Sequence, residues 1–111
     1  MSDNPIERLI AAGHTEILEA AGWHMDLDGV RYLCDEDGIW EAEQAKHSHI
    51  QLAGMAALEW LTRGRRLADV PRYDEFTGAY SLCLWEQPMF YAFTLAEAAI
   101  DAAIAVWEAS K

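Results

Sequence analysis

The sequence predicts a single α+β domain in which an antiparallel sheet, made of a three-strand meander and a C-terminal hairpin, is packed with about three helices. The chain has 111 residues and is 52% hydrophobic, which suffices for one core that removes about 65% of the unfolded chain's surface from water. Apolar residues recur at helical spacing in three segments, and two other segments carry hairpin signals. We therefore expect one domain over residues 1–111, with the element order α-βββ-α-ββ-α.

The first helix is predicted to begin at Pro5. Asn4 supplies a capping side chain, and proline suits the first helical position. Apolar residues then recur at helical spacing as far as Gly22, which supplies the stop. Gly13 is a point at which this helix can break, and Thr15 would then cap its second piece.

A β-hairpin with a two-residue loop is predicted at Asp28-Gly29, because Asp-Gly between alternating apolar residues is the strongest short hairpin signal. In this register Asp26 lies opposite Arg31 on the outer face, where opposite charges stabilise the pair. Three apolar pairs then share the core face: Trp23 with Cys34, Met25 with Tyr32, and Leu27 with Val30.

The remaining elements follow from turn residues and caps. A turn at 35–38 leads to a short third strand at 39–41, and residues 42–63 are predicted to form a helix that Gly64 ends. Aromatic-rich runs at 79–85 and 89–93 predict a second hairpin. Thr94-Leu95-Ala96-Glu97 has the form of a capping box and opens the last helix.

The chain is strongly acidic, with 8 basic and 19 acidic residues and a net charge of −11. Such an excess disfavours direct binding to nucleic acid. The charge is uneven, because residues 63–72 carry 4 basic groups against 1 acidic group. This basic island is typical of a helix end whose cations complement the helix dipole.

No apolar run approaches the roughly 20 residues of a membrane span, and the N-terminus lacks the order of a signal peptide. We therefore expect a cytoplasmic protein without membrane contact. Cys34 and Cys83 fall in apolar strand-like segments, which favours buried, reduced thiols.

Carboxylates are concentrated in the predicted meander. The 18 residues from 26 to 43 include seven carboxylates and a single arginine. The carboxylates are Asp26, Asp28, Asp35, Glu36, Asp37, Glu41 and Glu43. Stiff turns would hold this array where it could meet lysine and arginine groups that normally bind phosphates. The pattern indicates a protein partner with a basic, nucleic-acid-binding surface. A solvated face that only keeps the protein soluble is the alternative.

Aromatic residues suggest a second interface. The chain has 5 tryptophans, more than one face of a small sheet can easily bury, so some must be partly exposed. Trp85, Phe90 and Tyr91 lie in the predicted second hairpin, where an exposed aromatic patch would mark an interface. Such a patch could join two copies as a homodimer, whereas a helix over the second sheet face would bury it equally well.

Motifs of catalytic and cofactor sites are absent from the sequence, including glycine-rich phosphate loops, GxSxG, HExxH and CxxC. The Asp-x-Asp-Gly strings fail the EF-hand calcium pattern, since placing Gly38 sixth puts Gln44 in the twelfth position. His47 and His49 would point apart on a helix, which argues against a metal site. We therefore expect no catalytic residue, no metal and no cofactor. If a site of this kind exists, these histidines and the carboxylates of residues 35–43 would form it.

The last third of the chain has two aromatic strands followed by Thr94-Leu95-Ala96-Glu97-Ala98-Ala99-Ile100-Asp101-Ala102-Ala103. It resembles small phage and prophage proteins that end in a hairpin and a threonine-capped, alanine-rich helix, and it looks most like the phage α-β-α sandwich domains. The opening helix followed by Gly22-Trp23 is compatible with them, so the resemblance touches about half of the chain. No functional residue is carried over from that family.

The resemblance implies the class of counter-defence inhibitors, such as anti-CRISPR proteins, as a candidate. The expected function is then a non-catalytic phage or prophage inhibitor that binds a host nucleic-acid-handling complex of the CRISPR type through its carboxylates. Two alternatives stay open. One is a self-associating structural or regulatory phage domain that uses exposed aromatics, and the other is a small enzyme or ligand-binding domain.

Overall fold

The structure is a computed structural model that describes residues 4–27 and 31–110. Within these residues four α-helices and two three-stranded antiparallel sheets confirm the α+β class. The helices are α1 (Pro5–Ala12), α2 (Thr15–Ala20), α3 (His47–Arg63) and α4 (Leu95–Ala109). The first sheet contains β1 (Trp23–Met25), β2 (Arg31–Asp35) and β3 (Gly38–Glu41). The second contains β4 (Arg72–Asp74), β5 (Ala79–Leu82) and β6 (Phe90–Ala92).

Local capping accounts for the helix starts. The Asn4 side chain accepts a hydrogen bond from the backbone N–H of Ile6 at 2.9 Å, and Thr94 Oγ1 accepts one from Glu97 at 3.1 Å. Gly13 has a φ of 75°, which glycine adopts without strain, and it separates α1 from α2. Thr15 is the first residue of α2 and not its cap, which is His14.

Two elements differ from the sequence prediction. Residues 72–74 lie in the predicted loop, yet they form β4 because they pair with β5 through contacts that are not local in sequence. The central helix begins at His47 and not at residue 42, since a 3₁₀ turn, Ala42–Gln44, first carries the chain away from β3.

The register of the first hairpin differs by one residue from the predicted one. Trp23 pairs with Leu33, and Met25 pairs with Arg31. The predicted pairs of Trp23 with Cys34, of Met25 with Tyr32 and of Asp26 with Arg31 are therefore wrong. Met25 and Leu27, which were expected on the core face, are exposed. The Asp28-Gly29 turn and Val30, the predicted partner of Leu27, lie outside the described residues. A slip of one residue turns the whole strand over.

This register changes which side chains of β2 are buried. Leu33 and Arg31 are buried, whereas Cys34 is exposed and Cys83 is half-buried. The expected burial of both thiols is therefore wrong for Cys34, and the cause is the reversed face of β2. Both cysteines are free thiols.

Helix α4 lies at the centre of the core, in contact with α1, α3, β5 and β6. Small residues let α3 and α4 approach closely. A Cβ added to Gly54 would lie 2.4 Å from both Cα and Cβ of Ala96. The buried residues at this contact are mostly alanines: Ala53, Ala57, Ala98, Ala99, Ala102 and Ala103.

The two sheets contribute few side chains to this core, and each has a side that the helices leave open. Trp23 and Leu33 join the core from the first sheet, and Leu82 joins it from the second. Among the five tryptophans Trp85 is 63% exposed, in agreement with the expectation of partial exposure. In the described ranges no helix combines the length and the apolar character that crossing a membrane requires.

Candidate functional site

The outer face of the first sheet is largely exposed to solvent in the described part of the chain. His24 lies opposite Tyr32, and Tyr32 lies opposite Glu41 on the other side. Cys34 lies opposite Ile39 on the same face, because side chains alternate along a strand. His24, Cys34, Ile39 and Glu41 are exposed and Tyr32 is half-buried. We call these five residues the outer face.

Carboxylates lie on this face or next to it along the chain: Glu41 belongs to the face, Glu36 lies in the turn between β2 and β3, and Glu43 lies in the 3₁₀ turn after β3. Asp26, Glu36, Glu41 and Glu43 are exposed. Among the residues that the structure describes, none of Glu36, Glu41 and Glu43 takes part in an ion pair. Asp28 lies outside the described residues. The outer face therefore has an apolar middle and an acidic rim. The rim consists of Glu36, Glu41 and Glu43, and no ion pair within the described residues neutralises these three glutamates.

Asp35 holds the turn between β2 and β3. Its Oδ1 accepts hydrogen bonds from the backbone N–H of Asp37 at 2.9 Å and from the indole N–H of Trp40 at 2.8 Å. Its Oδ2 lies 2.8 Å from Nε2 of His49, which belongs to the first turn of α3. We call Asp35, Trp40 and His49 the Asp35 cluster, and it ties the hairpin to the helix.

Hydrogen bonding defines the tautomer of His49. The backbone N–H of Lys46 donates to Nδ1 of His49 at 3.0 Å, so Nδ1 carries no proton. The proton of the neutral ring is then on Nε2, from which it is donated to Asp35. Both ring nitrogens are engaged, and the side chain is 4% exposed. The histidine therefore offers no free lone pair to a substrate or a metal.

The pKa of Asp35 reflects these contacts. The hydrogen bond from His49, followed by the one from Trp40, lowers the pKa of the carboxyl group from 3.8 to about 2. The backbone N–H of Asp37 acts in the same direction. Hydrogen bonds to the charged form favour that form. Asp35 is thus a charged structural group at neutral pH.

A cation neutralises the other aspartate of this turn. Lys46 Nζ lies 3.3 Å from Oδ2 of Asp37 and 3.9 Å from the ring centroid of Trp40, a distance at which a cation is attracted to an indole face. Of the seven carboxylates singled out in the sequence, Asp35 and Asp37 therefore serve the turn, whereas Glu36, Glu41 and Glu43 are available to a partner.

The remaining candidate residues lie apart from this site. His47 is exposed and shares a hydrogen bond of 3.1 Å with Gln51. Phe90 lies opposite Leu82 and packs against the core. Tyr91 and Trp85 are exposed. The structure therefore brings His49 together with Asp35, and it separates Phe90 from the two exposed aromatics that were expected to share a patch with it.

The fourth histidine, His14, is buried and lies against two tryptophans. Its ring centroid lies 4.5 Å from those of Trp60 and Trp107. Within the described part of the chain, no group of three or more histidine, cysteine, aspartate or glutamate side chains is arranged to hold a metal ion.

Sequence reasoning missed the apolar centre of the outer face. Tyr32, Cys34 and Ile39 carry the alternation of a strand, but the predicted two-residue loop assigned Tyr32 and Cys34 to the core. The signal that could have separated the two registers is Leu33 beside Trp23, the largest apolar pair available.

Comparisons of the chain with protein-family models, with curated proteins and with solved structures found no match.

Proposed function

We propose that this protein binds a basic protein surface through the outer face of its first sheet. The supporting observation is an exposed sheet face with an apolar centre that has Glu41 on it and Glu36 and Glu43 next to it along the chain; these three glutamates are exposed and form no ion pair within the described residues. Protein interfaces combine a buried apolar centre with a polar rim, and an acidic rim selects a partner rich in lysine and arginine.

The partner we propose is a nucleic-acid-handling protein of a host cell, bound at the surface that otherwise holds phosphates. Carboxylates compete for such groups because they accept the same charge-assisted hydrogen bonds as phosphates. The resemblance of the C-terminal helix to phage and prophage proteins supports a counter-defence inhibitor that acts without catalysis in the host cytoplasm. The engaged nitrogens of His49 give no support to an acid–base or metal function at the outer face.

The test replaces the three rim glutamates, Glu36, Glu41 and Glu43, together with glutamine. The matched control replaces three exposed glutamates located elsewhere, Glu19, Glu75 and Glu108, so that both variants lose the same charge. Immobilised proteins are used to capture partners from a bacterial lysate. We expect the rim variant to lose a captured basic protein that the control variant retains.

A competition experiment extends this test. Duplex DNA is added to the captured complex, and it should displace the protein if both bind the same surface of the partner. Equal capture by the rim and control variants would overturn the proposal. Capture that DNA does not affect would remove the phosphate-binding surface as the proposed target.

A further inference from the structure

A second apolar surface lies along the exposed side of α3. A groove of ≈510 Å³ runs between α3 and the second sheet. Its lining includes Gly54, Met55, Leu58, Tyr80, Phe93 and Leu95. Leu58 also lines two adjoining grooves, one with Leu52 and one with Val70. The three grooves together form a continuous surface, which we call the α3 face.

Large apolar side chains project from this face. Leu52 is 49% exposed, Met55 69%, Val70 68% and Phe93 78%. An aromatic side chain such as that of Phe93 has on the order of 150–250 Å². If each of the four is given roughly 200 Å², their exposed fractions amount to roughly 500 Å² of mostly apolar surface. An area of this size is at the upper end of the largest patch on a typical monomer, about 300–600 Å².

Charges on the α3 face are paired within the chain. Among the described residues, those that line the three grooves include two carboxylates, Glu59 and Asp69. Glu59 forms an ion pair with Arg63, and Asp69 forms one with Arg72 at 2.8 Å. In a chain with a net charge of −11, this face is therefore one on which a second copy can pack without bringing unpaired carboxylates together.

We infer that the α3 face is a homodimer interface with two-fold symmetry. In a two-fold symmetric interface both copies use the same surface. A side chain that inserts into the other copy must therefore lie beside the groove that receives the same side chain of that copy. Phe93 and Met55 project beside the groove that they line. A standard interface buries about 800 Å² per partner, of which about 65% is apolar in homodimers, and roughly 500 Å² meets that need.

The test compares two variants of the same type, Phe93→Glu and Phe76→Glu. Phe76 is 101% exposed in the turn between β4 and β5 and lines none of the three grooves. Molar mass is measured by sedimentation from micromolar to millimolar concentrations, and thermal unfolding confirms that each variant is folded. We expect a dimer whose dissociation constant rises at least ~10-fold in Phe93→Glu and does not change in Phe76→Glu.

A second variant, Met55→Glu, serves if Phe93→Glu is unfolded, because Met55 is a solvent-exposed helix residue. It is expected to weaken the dimer in the same way. A wild-type protein that stays monomeric at millimolar concentration would overturn the inference, and so would a Phe76→Glu variant that weakens association as much as Phe93→Glu. None of these variants changes a residue of the outer face, so the dimer and the proposed function are tested independently.

Discussion

The carboxyl group of Asp35 is one group through which acid is expected to lower the stability of the fold. Its pKa is about 2 in the folded protein, against 3.8 for an unperturbed aspartate such as that of the unfolded chain, so the unfolded chain binds a proton more readily. The stabilisation is therefore fully present above about pH 4 and is lost as the pH falls through about 2. In the wild type, the free energy of unfolding measured with urea should therefore fall as the pH is lowered from about 4 to about 2.

In Asp35→Asn this part of the pH dependence should be absent, because the amide does not titrate. Other carboxylates still titrate in both proteins, so the informative quantity is the difference between the two pH profiles. Parallel profiles would contradict the role given to Asp35.

The indole of Trp40 is expected to contribute to the low pKa of Asp35. Trp40→Phe keeps an aromatic ring but removes the N–H that donates to Oδ1 at 2.8 Å. The pKa of Asp35 should then rise from about 2 toward 3.8, as followed by NMR titration of the side-chain carboxyl carbon. Trp85→Phe, an exposed tryptophan elsewhere, is the control and should leave the titration unchanged. An unchanged pKa in Trp40→Phe would exclude the indole as a cause.

At the scale of elements, the contact between α3 and α4 depends on the missing side chain of Gly54. Gly54→Ala gains up to about 1 kcal/mol in helix propensity, but its Cβ would meet backbone and side-chain atoms of Ala96 at 2.4 Å. Since helix backbones cannot yield as a flexible side chain does, we expect a net loss of about 1–3 kcal/mol, measured by thermal or urea unfolding.

Gly64→Ala is the matched control. Gly64 has a negative φ of −78°, and its added Cβ would meet nothing closer than 3.4 Å. Stability should stay the same or rise by up to about 1 kcal/mol. A loss in Gly64→Ala equal to that in Gly54→Ala would show that glycine itself, and not the close approach to Ala96, is the cause.

Local signals predicted the elements more successfully than their pairing. The caps at Asn4 and Thr94 depend on residues two or three positions away, so the sequence determines them directly. Strand β4 depends on hydrogen bonds to β5, and residues 72–74 carry no apolar alternation of their own. The register of the first hairpin likewise depends on whether Leu33 or Cys34 is buried in the core.

The candidate site was predicted in composition but not in arrangement. The run of carboxylates is visible in the sequence, but nothing local shows that Asp35 bonds to His49 across 14 positions while Glu36 points to solvent. This division depends on the contact of His49, in the first turn of α3, with Asp35 and Trp40 of the first sheet. The apolar centre of the outer face depends on the same tertiary choice of register.

At the scale of the whole molecule, the two proposed surfaces respond to salt in opposite ways. A partner bound by carboxylates is attracted through charge, so added salt should weaken its binding. Two copies that each carry −11 repel one another at long range, so added salt should strengthen the dimer. Sedimentation and partner binding, each measured over a series of sodium chloride concentrations, check these expectations. The same sign in both series would contradict one of the two assignments.

The placement of α4 against α1 has a consequence for the chain while it is being made. The indole N–H of Trp107 donates to the carbonyl of Ala12 at 3.0 Å, across 95 positions, and Arg8 pairs with Asp101. Helices α1 and α3 bury their apolar sides against α4, which the ribosome adds last among the described elements. At about 5–20 residues per second, the apolar side of α1 waits on the order of 5–20 s for α4, and that of α3 waits on the order of 2–9 s. We therefore expect the nascent chain to be prone to aggregation, and to be bound by chaperones, until α4 emerges.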